Sequence, residues 1–540
     1  MDYSPDTNSY TSRRSTIYSP NGVVATSQPI AAESGLETLR NGGNAFDAAV
    51  ATAAVLNVVE PMSTGLGGDM FALYRTADGN VGAFRSCGGA AENATVDGTR
   101  EAIAEMGADP SDGMPERGPL SVTVPGAPRG WEAVVSELGQ LSMKTVLDDA
   151  IAYAQDGFPV TEVIASMWKD NSAALRGSTA TDTYLINGKR APQAGEQIKN
   201  KPLADTLMTL AEYGADPFYE GEIAEQIVET VQSRGGLLQL SDLEDFRPEF
   251  IDPISTSYND ATVYELPPNN QGLIAVEALN IAKELGCSSD SLGRAEHTHR
   301  LIEAMKLAFT DGHRHITDPD YESVPDLAAP KHATQRAATV GQTAIDDAEP
   351  RIFDSPAEDS DTVLLTVADN KGNVVSFINS IFREFGSGLV PESTGITLQN
   401  RGASFSLDPA HPNSIAPGKR PFHTLIPGLV QFDDADWAAF GVMGGYMQPQ
   451  GHLQVLTNIL DRKMSLQAAL DEPRWRYMSD GSLAVEPRFD PDCITNLARR
   501  GHDITIELPI EFGGGQIARN RNETLSGATE PRKDGTVAGF

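Results

Sequence analysis

The sequence is poor in cysteine, and its few thiols lie far apart. Only three cysteines occur among 540 residues, Cys87, Cys287 and Cys493, and no two of them form a C-x-x-C pair. Three isolated thiols cannot build a disulfide framework, and the missing pair argues against structural zinc. We therefore expect a fold stabilised by a large apolar core, which a chain of this length is able to bury.

Long apolar runs are also missing. The longest one, residues 48–59, is interrupted by polar residues and falls well short of the roughly 20 residues that cross a bilayer. The first 21 residues are polar, and Arg13-Arg14 is not followed by the apolar run that an export signal needs. We therefore expect a soluble, cytoplasmic protein without a membrane partner, in which residues 1–21 form a mobile tail.

Positive charge is scarce. Lys and Arg total 41 against 75 Asp and Glu, which gives a formal net charge of −34, and only 12 of the 41 basic residues are lysines. Nucleic acids and anionic membrane surfaces both require clustered Lys and Arg, so neither is expected as a partner. A chain that is this acidic and contains so few lysines resembles the cytosolic proteins of salt-loving microbes. In those proteins concentrated salt screens the repulsion between carboxylates. An ordinary acidic enzyme is the alternative interpretation.

Several common catalytic motifs are absent. The sequence contains no G-x-S-x-G elbow, no G-x-x-x-x-G-K-[ST] loop and no G-x-G-x-x-G after a strand, which leaves serine-hydrolase and nucleotide-binding functions without support. His297, His299, His313 and His315 occur in close pairs, but no matching set of carboxylates accompanies them in the sequence. We predict no metal and no organic cofactor.

Helical periodicity begins soon after the N-terminal segment. Residues 27–40 and 44–59 carry small apolar residues at helical spacing, with Gly42-Gly43 between them as a break. Because the second segment is alanine-rich on several faces, it is expected to be buried against a sheet. Much later, residues 331–360 are polar and acidic, which is typical of an exposed connector.

The clearest strand signal follows this connector directly. Residues 362–368 and 374–378 read as two strands joined by a glycine-containing turn. If the bond before Thr362 were cut, its own α-amino group could act as a base for its hydroxyl, as in other N-terminal threonine nucleophiles. Spacing alone favours the other interpretation, in which Thr362 is an ordinary β-branched strand residue.

A series of sequence motifs favours the first interpretation, in which Thr362 is a nucleophile, because the motifs resemble those of a known family. From Gly22 onward the chain resembles the γ-glutamyltranspeptidase family of N-terminal-nucleophile hydrolases, over about nine tenths of its length. The matching stretches are P-I-A-A-E-S-G-L-E-T-L-R-N-G-G-N-A-F-D-A-A-V-A, V-E-P-M-S-T-G-L-G-G-D-M-F, V-P-G-A-P-R-G-W, L-P-P-N-N-Q-G, E-A-M-K-L-A-F-T-D-G, D-N-K-G-N-V-V-S, F-G-S-G, P-G-K-R-P-F-H-T-L-I-P and G-V-M-G-G.

The resemblance implies a fold and a processing event. The fold is α+β, a four-layer αββα sandwich of two stacked antiparallel sheets covered by helices. The family cleaves itself before a threonine that opens a T-x-x-x-S/T-V-x-D strand, which here places the cut between Asp361 and Thr362. The functional unit is then a heterodimer of a large subunit, residues 22–361, and a small subunit, residues 362–540.

The family's catalytic residues transfer to matching positions. Thr362 is the implied nucleophile, Ser380 supplies the second hydroxyl on the returning strand, and the amides of Gly444 and Gly445 hold the oxyanion. The resemblance thus implies acyl transfer through a threonyl ester.

The acyl pocket departs from the family pattern. Where γ-glutamyl enzymes hold the ammonium of the donor with a Gln and an Asp, this chain has Arg401 and Ser404, and a supporting Asn aligns with Phe382. An arginine in a pocket favours a carboxylate or carbonyl partner and repels an ammonium.

The remaining pocket positions are implied by alignment. The two serines that hold the α-carboxylate in the family align with His423 and Thr424, and Arg85 is the candidate for its carboxylate-binding arginine.

Three functions are compatible with the residues at these positions. The motifs are most similar to the oxamate amidohydrolase and acylase-like branch, which implies hydrolysis of a small anionic amide. A true γ-glutamyl transpeptidase or glutathione hydrolase, acting on a γ-glutamyl substrate, is the first alternative. An uncleaved homologue that only binds ligands is the second.

The large negative net charge predicts how stability and activity depend on salt. Stability and activity should rise with salt into the molar range, because at 1 M the Debye length is only about 3 Å and repulsion among surface carboxylates is largely removed. The measurement is the melting temperature between low salt and molar KCl. A flat or falling melting temperature would favour an ordinary acidic enzyme.

Overall fold

The computed structural model describes residues 14–176, 179–289, 291–345 and 362–540. The strands are β1 Ile17–Ser19, β2 Gly22–Thr26, β3 Asp69–Arg75, β4 Val81–Ser86, β5 Phe158–Pro159, β6 Gln197–Ile198, β7 Glu249–Ile251, β8 Ile254–Tyr258, β9 Ala261–Glu265, β10 Val363–Asp369, β11 Val374–Ser380, β12 Gly428–Asp433, β13 Asp436–Met443, β14 Trp475–Tyr477, β15 Leu483–Val485, β16 Ile504–Ile506, β17 Gly514–Arg521, β18 Thr524–Thr529 and β19 Thr536–Gly539. The helices are α1 Pro29–Arg40, α2 Ala45–Val59, α3 Val96–Glu105, α4 Ala127–Leu138, α5 Met143–Asp156, α6 Glu162–Asn171, α7 Thr181–Tyr184, α8 Lys201–Tyr213, α9 Asp216–Glu220, α10 Glu222–Gln232, α11 Leu240–Glu244, α12 Gly272–Glu284, α13 Arg294–His315, α14 Pro330–Ala337, α15 Met447–Leu460, α16 Leu466–Asp471 and α17 Pro491–Arg499.

Two seven-stranded sheets form the centre of the molecule. The first has the order β1-β18-β17-β13-β12-β9-β8 and the second β19-β2-β10-β11-β3-β4-β7. Neighbouring strands in both sheets are antiparallel. Apolar side chains from both sheets pack together between them, among them Phe71, Leu364, Ile378, Leu429, Ala439 and Ala518.

Helices cover the outer face of each sheet. A core that includes α1, α2, α4, α5 and α8 lies on the second sheet, and a core that includes α12, α13 and α15 lies on the first. The four layers confirm the predicted αββα sandwich.

The alanine-rich segment forms the helix that packs most deeply. Asn44 caps α2 by accepting hydrogen bonds from Phe46 N and Asp47 N, and Asp47 returns the interaction by accepting from Asn44 N. Every residue of α2 is buried, which explains why small side chains occur on all its faces. The helix lies against β10 and β11, the strands that carry the predicted nucleophile and its supporting hydroxyl.

Strands from the two predicted subunits alternate within both sheets. In the second sheet, β10 from the small subunit pairs with β2 from the large subunit, and β11 pairs with β3. In the first sheet, β12 from the small subunit pairs with β9 from the large one. The boundary between residues 361 and 362 therefore does not separate two independent folding units.

Two expected irregular segments are partly regular. The segment predicted as a mobile tail contains β1, which pairs with β18, and Arg14 donates to the carbonyls of Glu530 and Gly535. The prediction is wrong for these residues because the sheet edge offers backbone partners to the polar chain. The predicted connector begins as helix α14, and residues 346–361, including Asp361, lie outside the described part of the chain.

Among the helices within the described ranges, none combines the length and apolarity needed to cross a membrane.

The alternation of strands predicts how cleaved protein behaves. After cleavage before Thr362 the two fragments should co-elute in gel filtration, because separating them breaks strand pairs in both sheets. They should separate only in denaturant. Fragments that separate in native buffer would contradict this description of the sheets.

Candidate active site

Thr362 and Ser380 face each other at the ends of paired strands. Thr362 lies immediately before β10, and Ser380 ends β11; the neighbouring residues Val363 and Asn379 are direct partners in the sheet. The Thr362 hydroxyl donates to Ser380 Oγ at 3.3 Å, and both side chains are buried. Ser380 Oγ also accepts from Phe382 N at 2.8 Å. The register thus brings together the two hydroxyls that the sequence assigned to nucleophile and support.

Asp69 lies beside Ser380 on the next strand, so Thr362, Ser380 and Asp69 form a row across three neighbouring strands. Ser380 and Asp69 are direct partners across β11 and β3, and directly paired residues of an antiparallel sheet project from the same face. The preceding Gly68 is required for this approach, because a Cβ there would lie 2.2 Å from the carbonyl oxygen of Ser380. The sequence analysis did not assign Asp69 a role, although an acid directly after the glycines of G-L-G-G-D was a usable signal.

The Asp69 carboxylate is fully buried and has three donors. Oδ1 accepts from Gln399 Nε2 at 3.0 Å and from Gly126 N at 3.2 Å, and Oδ2 contacts His423 Nε2 at 3.1 Å. Because His423 Nδ1 accepts from Leu425 N, the hydrogen of the neutral ring lies on Nε2 and is donated to Asp69. Burial, together with the charges of Arg401 and Arg85, holds the pKa of His423 well below its usual value.

Arg401 is a buried guanidinium with unused donors. It is 0% exposed, Nη1 donates to Thr424 Oγ1 at 2.8 Å, and its charge lies 4.1 Å from the centre of the Phe382 ring. Within the described residues, Nε and Nη2 have no hydrogen-bond partner. Burial lowers the pKa of Arg401 to about 10, so the group still carries its charge near neutral pH. Such an arrangement can accept an anionic group in the plane of the guanidinium.

A strained residue connects the nucleophile to this arginine. Phe382 has a φ of 79°, a left-handed conformation that costs a non-glycine residue roughly 1–3 kcal/mol. Its amide holds Ser380 while its ring covers Arg401. The strain is therefore located where it joins the catalytic hydroxyls to the acyl pocket.

Gly444 and Gly445 lie in the turn between β13 and α15. Their φ values of 116° and 53° are conformations that favour glycine. In the part of the chain that the structure describes, neither N–H donates a hydrogen bond to the backbone. Gln271 Nε2 donates both to Gly445 O, at 3.0 Å, and to Thr424 O, at 2.6 Å, and so ties this turn to the residue that holds Arg401. Free amides in a fixed turn suit an oxyanion.

The other predicted pocket residues differ in whether their side chains already make hydrogen bonds within the protein. Ser404 ends the short 3-10 helix Arg401–Ser404, and among the described residues its Oγ is buried without a hydrogen-bond partner. Arg85, by contrast, donates to Glu249 Oε2 through Nε at 3.0 Å and Nη2 at 2.6 Å. Its assignment to the substrate carboxylate stays a prediction, and the contact with Glu249 disfavours it, because Arg401 has the open donors.

Two groups of potential metal ligands occur away from this site. The sets are His299, Glu303 and His502, and Glu277, Asp311 and His332. A cationic side chain already contacts one acidic member of each set: Lys306 Nζ lies 3.2 Å from Glu303 Oε1, and Arg336 pairs with Asp311. These cations take the place of an ion, so we assign neither set to a metal.

The family assignment comes from comparison with known proteins. A family model described as gamma-glutamyltranspeptidase matches residues 31–540. The chain belongs to the gamma-glutamyltranspeptidase family. It is 36% identical to a glutathione hydrolase-like YwrD proenzyme of Bacillus subtilis, over 96% of this chain and 98% of the relative. It is also 36% identical to an oxamate amidohydrolase proenzyme of Klebsiella pneumoniae, over 97% and 99%.

A solved structure gives the same result for the fold. Cephalosporin acylase from Bacillus halodurans is 42% identical, with a TM-score of 0.90, and the match covers 100% of this chain and 99% of that chain. The gamma-glutamyltranspeptidase family comprises N-terminal-nucleophile hydrolases, so the chain is a self-cleaving amidohydrolase or acyltransferase of that family. The residues that carry out the reaction remain our assignments.

The first assignment to test is the nucleophile. Wild-type protein should yield fragments of about 39 and 19 kDa from the 57.7 kDa chain on a denaturing gel. Thr362→Ala should remain one band without activity, because it lacks the attacking hydroxyl, whereas Thr362→Ser should still cleave. Thr366→Ala is the matched control, since Thr366 is a buried threonine of the same strand, and it should cleave normally. Cleavage of Thr362→Ala at this bond would refute the assignment.

Proposed function

We propose that the protein hydrolyses small amides whose acyl part carries a carboxylate and no ammonium group. Thr362 Oγ attacks the amide carbonyl, and the freed Thr362 amine takes the hydroxyl proton and passes it to the leaving amine. The C–N bond breaks, a threonyl ester remains, and water resolves it to the free acid. The amides of Gly444 and Gly445 stabilise the oxyanion in both steps.

The observation that carries the proposal is the unused side of Arg401. Leaving charged donors unpaired in a buried site is costly, and a ligand carboxylate would satisfy both of them. Nε and Nη2 lie on one edge of the guanidinium, so they can bind a carboxylate through two parallel hydrogen bonds. The contact of Arg401 with the Phe382 ring, and the hydrogen bond from Phe382 N to Ser380 Oγ, support a position of this pocket near Thr362.

The proposed pocket does not favour a donor ammonium, because such a group would need a carboxylate to pair with. Ser404 stands where the family pattern places an acid, and its hydroxyl carries no charge. Asp69 is the buried acid that remains in the pocket, but both of its oxygens already accept hydrogen bonds from the protein. An ammonium would therefore meet Arg401 without a free carboxylate to compensate for the repulsion.

The relatives support the donor class without deciding it. Oxamate, named in one relative, is an amide that bears a carboxylate and no ammonium, and another relative is an acylase. The glutathione hydrolase-like relative supports the alternative, a γ-glutamyl donor.

Matched donors distinguish the two. Glutaryl p-nitroanilide and γ-glutamyl p-nitroanilide have the same chain and carboxylate and differ only in the ammonium. We expect kcat/KM to favour the glutaryl donor by about a hundredfold, because a charged hydrogen bond is missing and a repulsion is added. Arg401→Gln with Ser404→Asp should shift the preference toward the γ-glutamyl compound.

Two controls complete this experiment. Pentanoyl p-nitroanilide lacks the carboxylate, so Arg401→Gln should reduce activity on the glutaryl donor far more than on this one. Oxamate is tested as a shorter donor, and its hydrolysis is measured by the release of ammonia. A γ-glutamyl donor that wins by about tenfold or more on the wild-type protein would replace the proposal by the transpeptidase function.

A further inference from the structure

We propose that Asp69 is a specificity-determining residue of the acyl pocket, where its carboxylate weakens the attraction of Arg401 for an anionic donor. The inference rests on the proposed function, since it concerns how strongly the same arginine binds a carboxylate. It assigns a role to a residue outside the catalytic set of hydroxyls and glycine amides.

The position of Asp69 supports this role. Thr362 precedes β10, Ser380 ends β11 and Asp69 begins β3, and neighbouring strands lie about 4.8 Å apart. The backbone of Asp69 is therefore about 10 Å from that of Thr362, and its side chain projects from the same face of the sheet as Ser380. His423, which Asp69 contacts, is followed by Thr424, the residue that holds Arg401 Nη1.

Asp69 influences Arg401 by charge and not by direct contact. Its oxygens are taken by Gln399, Gly126 and His423, while the described hydrogen bond of Arg401 goes to Thr424. The adjacent residues His423 and Thr424 contact Asp69 and Arg401 respectively, and the charge of Arg401 lowers the pKa of Asp69, as expected for opposite charges near each other. Because Nε and Nη2 of Arg401 have no hydrogen-bond partner among the described residues, Asp69 changes the potential at the donor site without occupying these donors.

Asp69 is the titratable group on which the pH dependence of this inference depends. Burial, partly offset by Arg401, raises its pKa to about 7. The other titratable groups that face it keep one state between pH 6 and 8.5. Burial keeps the thiol of Cys87 neutral, with a pKa of about 12, and raises the pKa of Tyr219, while His423 stays uncharged.

Arg85 is paired with Glu249, with Nη2 2.6 Å from Glu249 Oε2. The Thr362 amine formed by cleavage titrates near pH 8, and it acts on every donor alike because it serves the reacting amide.

The direction of the effect follows from the net charge. Above pH 7 Asp69 is ionised, so Asp69 and Arg401 sum to zero and a donor carboxylate is attracted weakly. Below pH 7 Asp69 is neutral, the pair carries one positive charge, and the same carboxylate is attracted more strongly. A donor without charge is insensitive to this change.

The test is the ratio of kcat/KM for glutaryl and pentanoyl p-nitroanilide between pH 6 and 8.5. Ionisations that affect both donors, including that of the Thr362 amine, cancel in this ratio. For wild-type protein the ratio should fall about tenfold as pH rises, with a midpoint near 7. Asp69→Asn should give a ratio that stays at its low-pH value throughout. The matched control is Asp436→Asn, which removes a buried carboxylate that pairs with Arg519 at the opposite end of β13 from Gly444 and should keep the wild-type profile.

The outcomes separate this inference from the proposed function. A wild-type protein without preference for the glutaryl donor at any pH would overturn the proposed function. A preference that does not change with pH would overturn only the role of Asp69, and this result needs no variant, so it stands even if Asp69→Asn fails to fold. A pH-dependent ratio that persists in a folded, cleaved Asp69→Asn protein would also overturn it.

Discussion

The placement of β10 in the middle of the second sheet is the constraint on which the site depends. This strand pairs with β11 from its first residue, Val363, and with β2 from Leu365 onward, so the strand is held on both edges. A nucleophile at the beginning of a central strand gains a rigid frame without help from a mobile loop. The same pairing sets Thr362 opposite Ser380, and Ser380 opposite Asp69.

That constraint also explains why cleavage need not disturb the fold. A new terminus at Thr362 would lie just before a strand whose pairs with β2 and β11 involve residues 363–369, so residue 361 takes part in none of these pairs. The helix packed beneath, α2, consists of small buried residues that allow close contact with the strand. The hydroxyls of Thr362 and Ser380 therefore already meet in the uncleaved chain, and the predicted cleavage would add an amine beside them.

The sequence predicted the parts of the site that are encoded locally. The β10–β11 hairpin follows from two apolar runs joined by a glycine-containing turn, and the family resemblance added Ser380 as the partner of Thr362. Asp69 could not be predicted in this way, because its partners Gly126, Gln399 and His423 lie 57, 330 and 354 residues away. The folded part of the predicted tail was missed for a similar reason, since β1 owes its structure to β18.

Arg401 illustrates the physical balance in the pocket. A buried charge without full pairing destabilises a protein, and here the compensation is distributed among a hydroxyl, an aromatic ring and a distant carboxylate. None of these takes the two donors on the open edge of the guanidinium. If Asp69 formed the usual bidentate pair with Arg401, the arginine would be stable and would have nothing left to bind a substrate. Holding Asp69 away with three other donors keeps Arg401 charged and available, so the cost in stability remains until a ligand carboxylate enters.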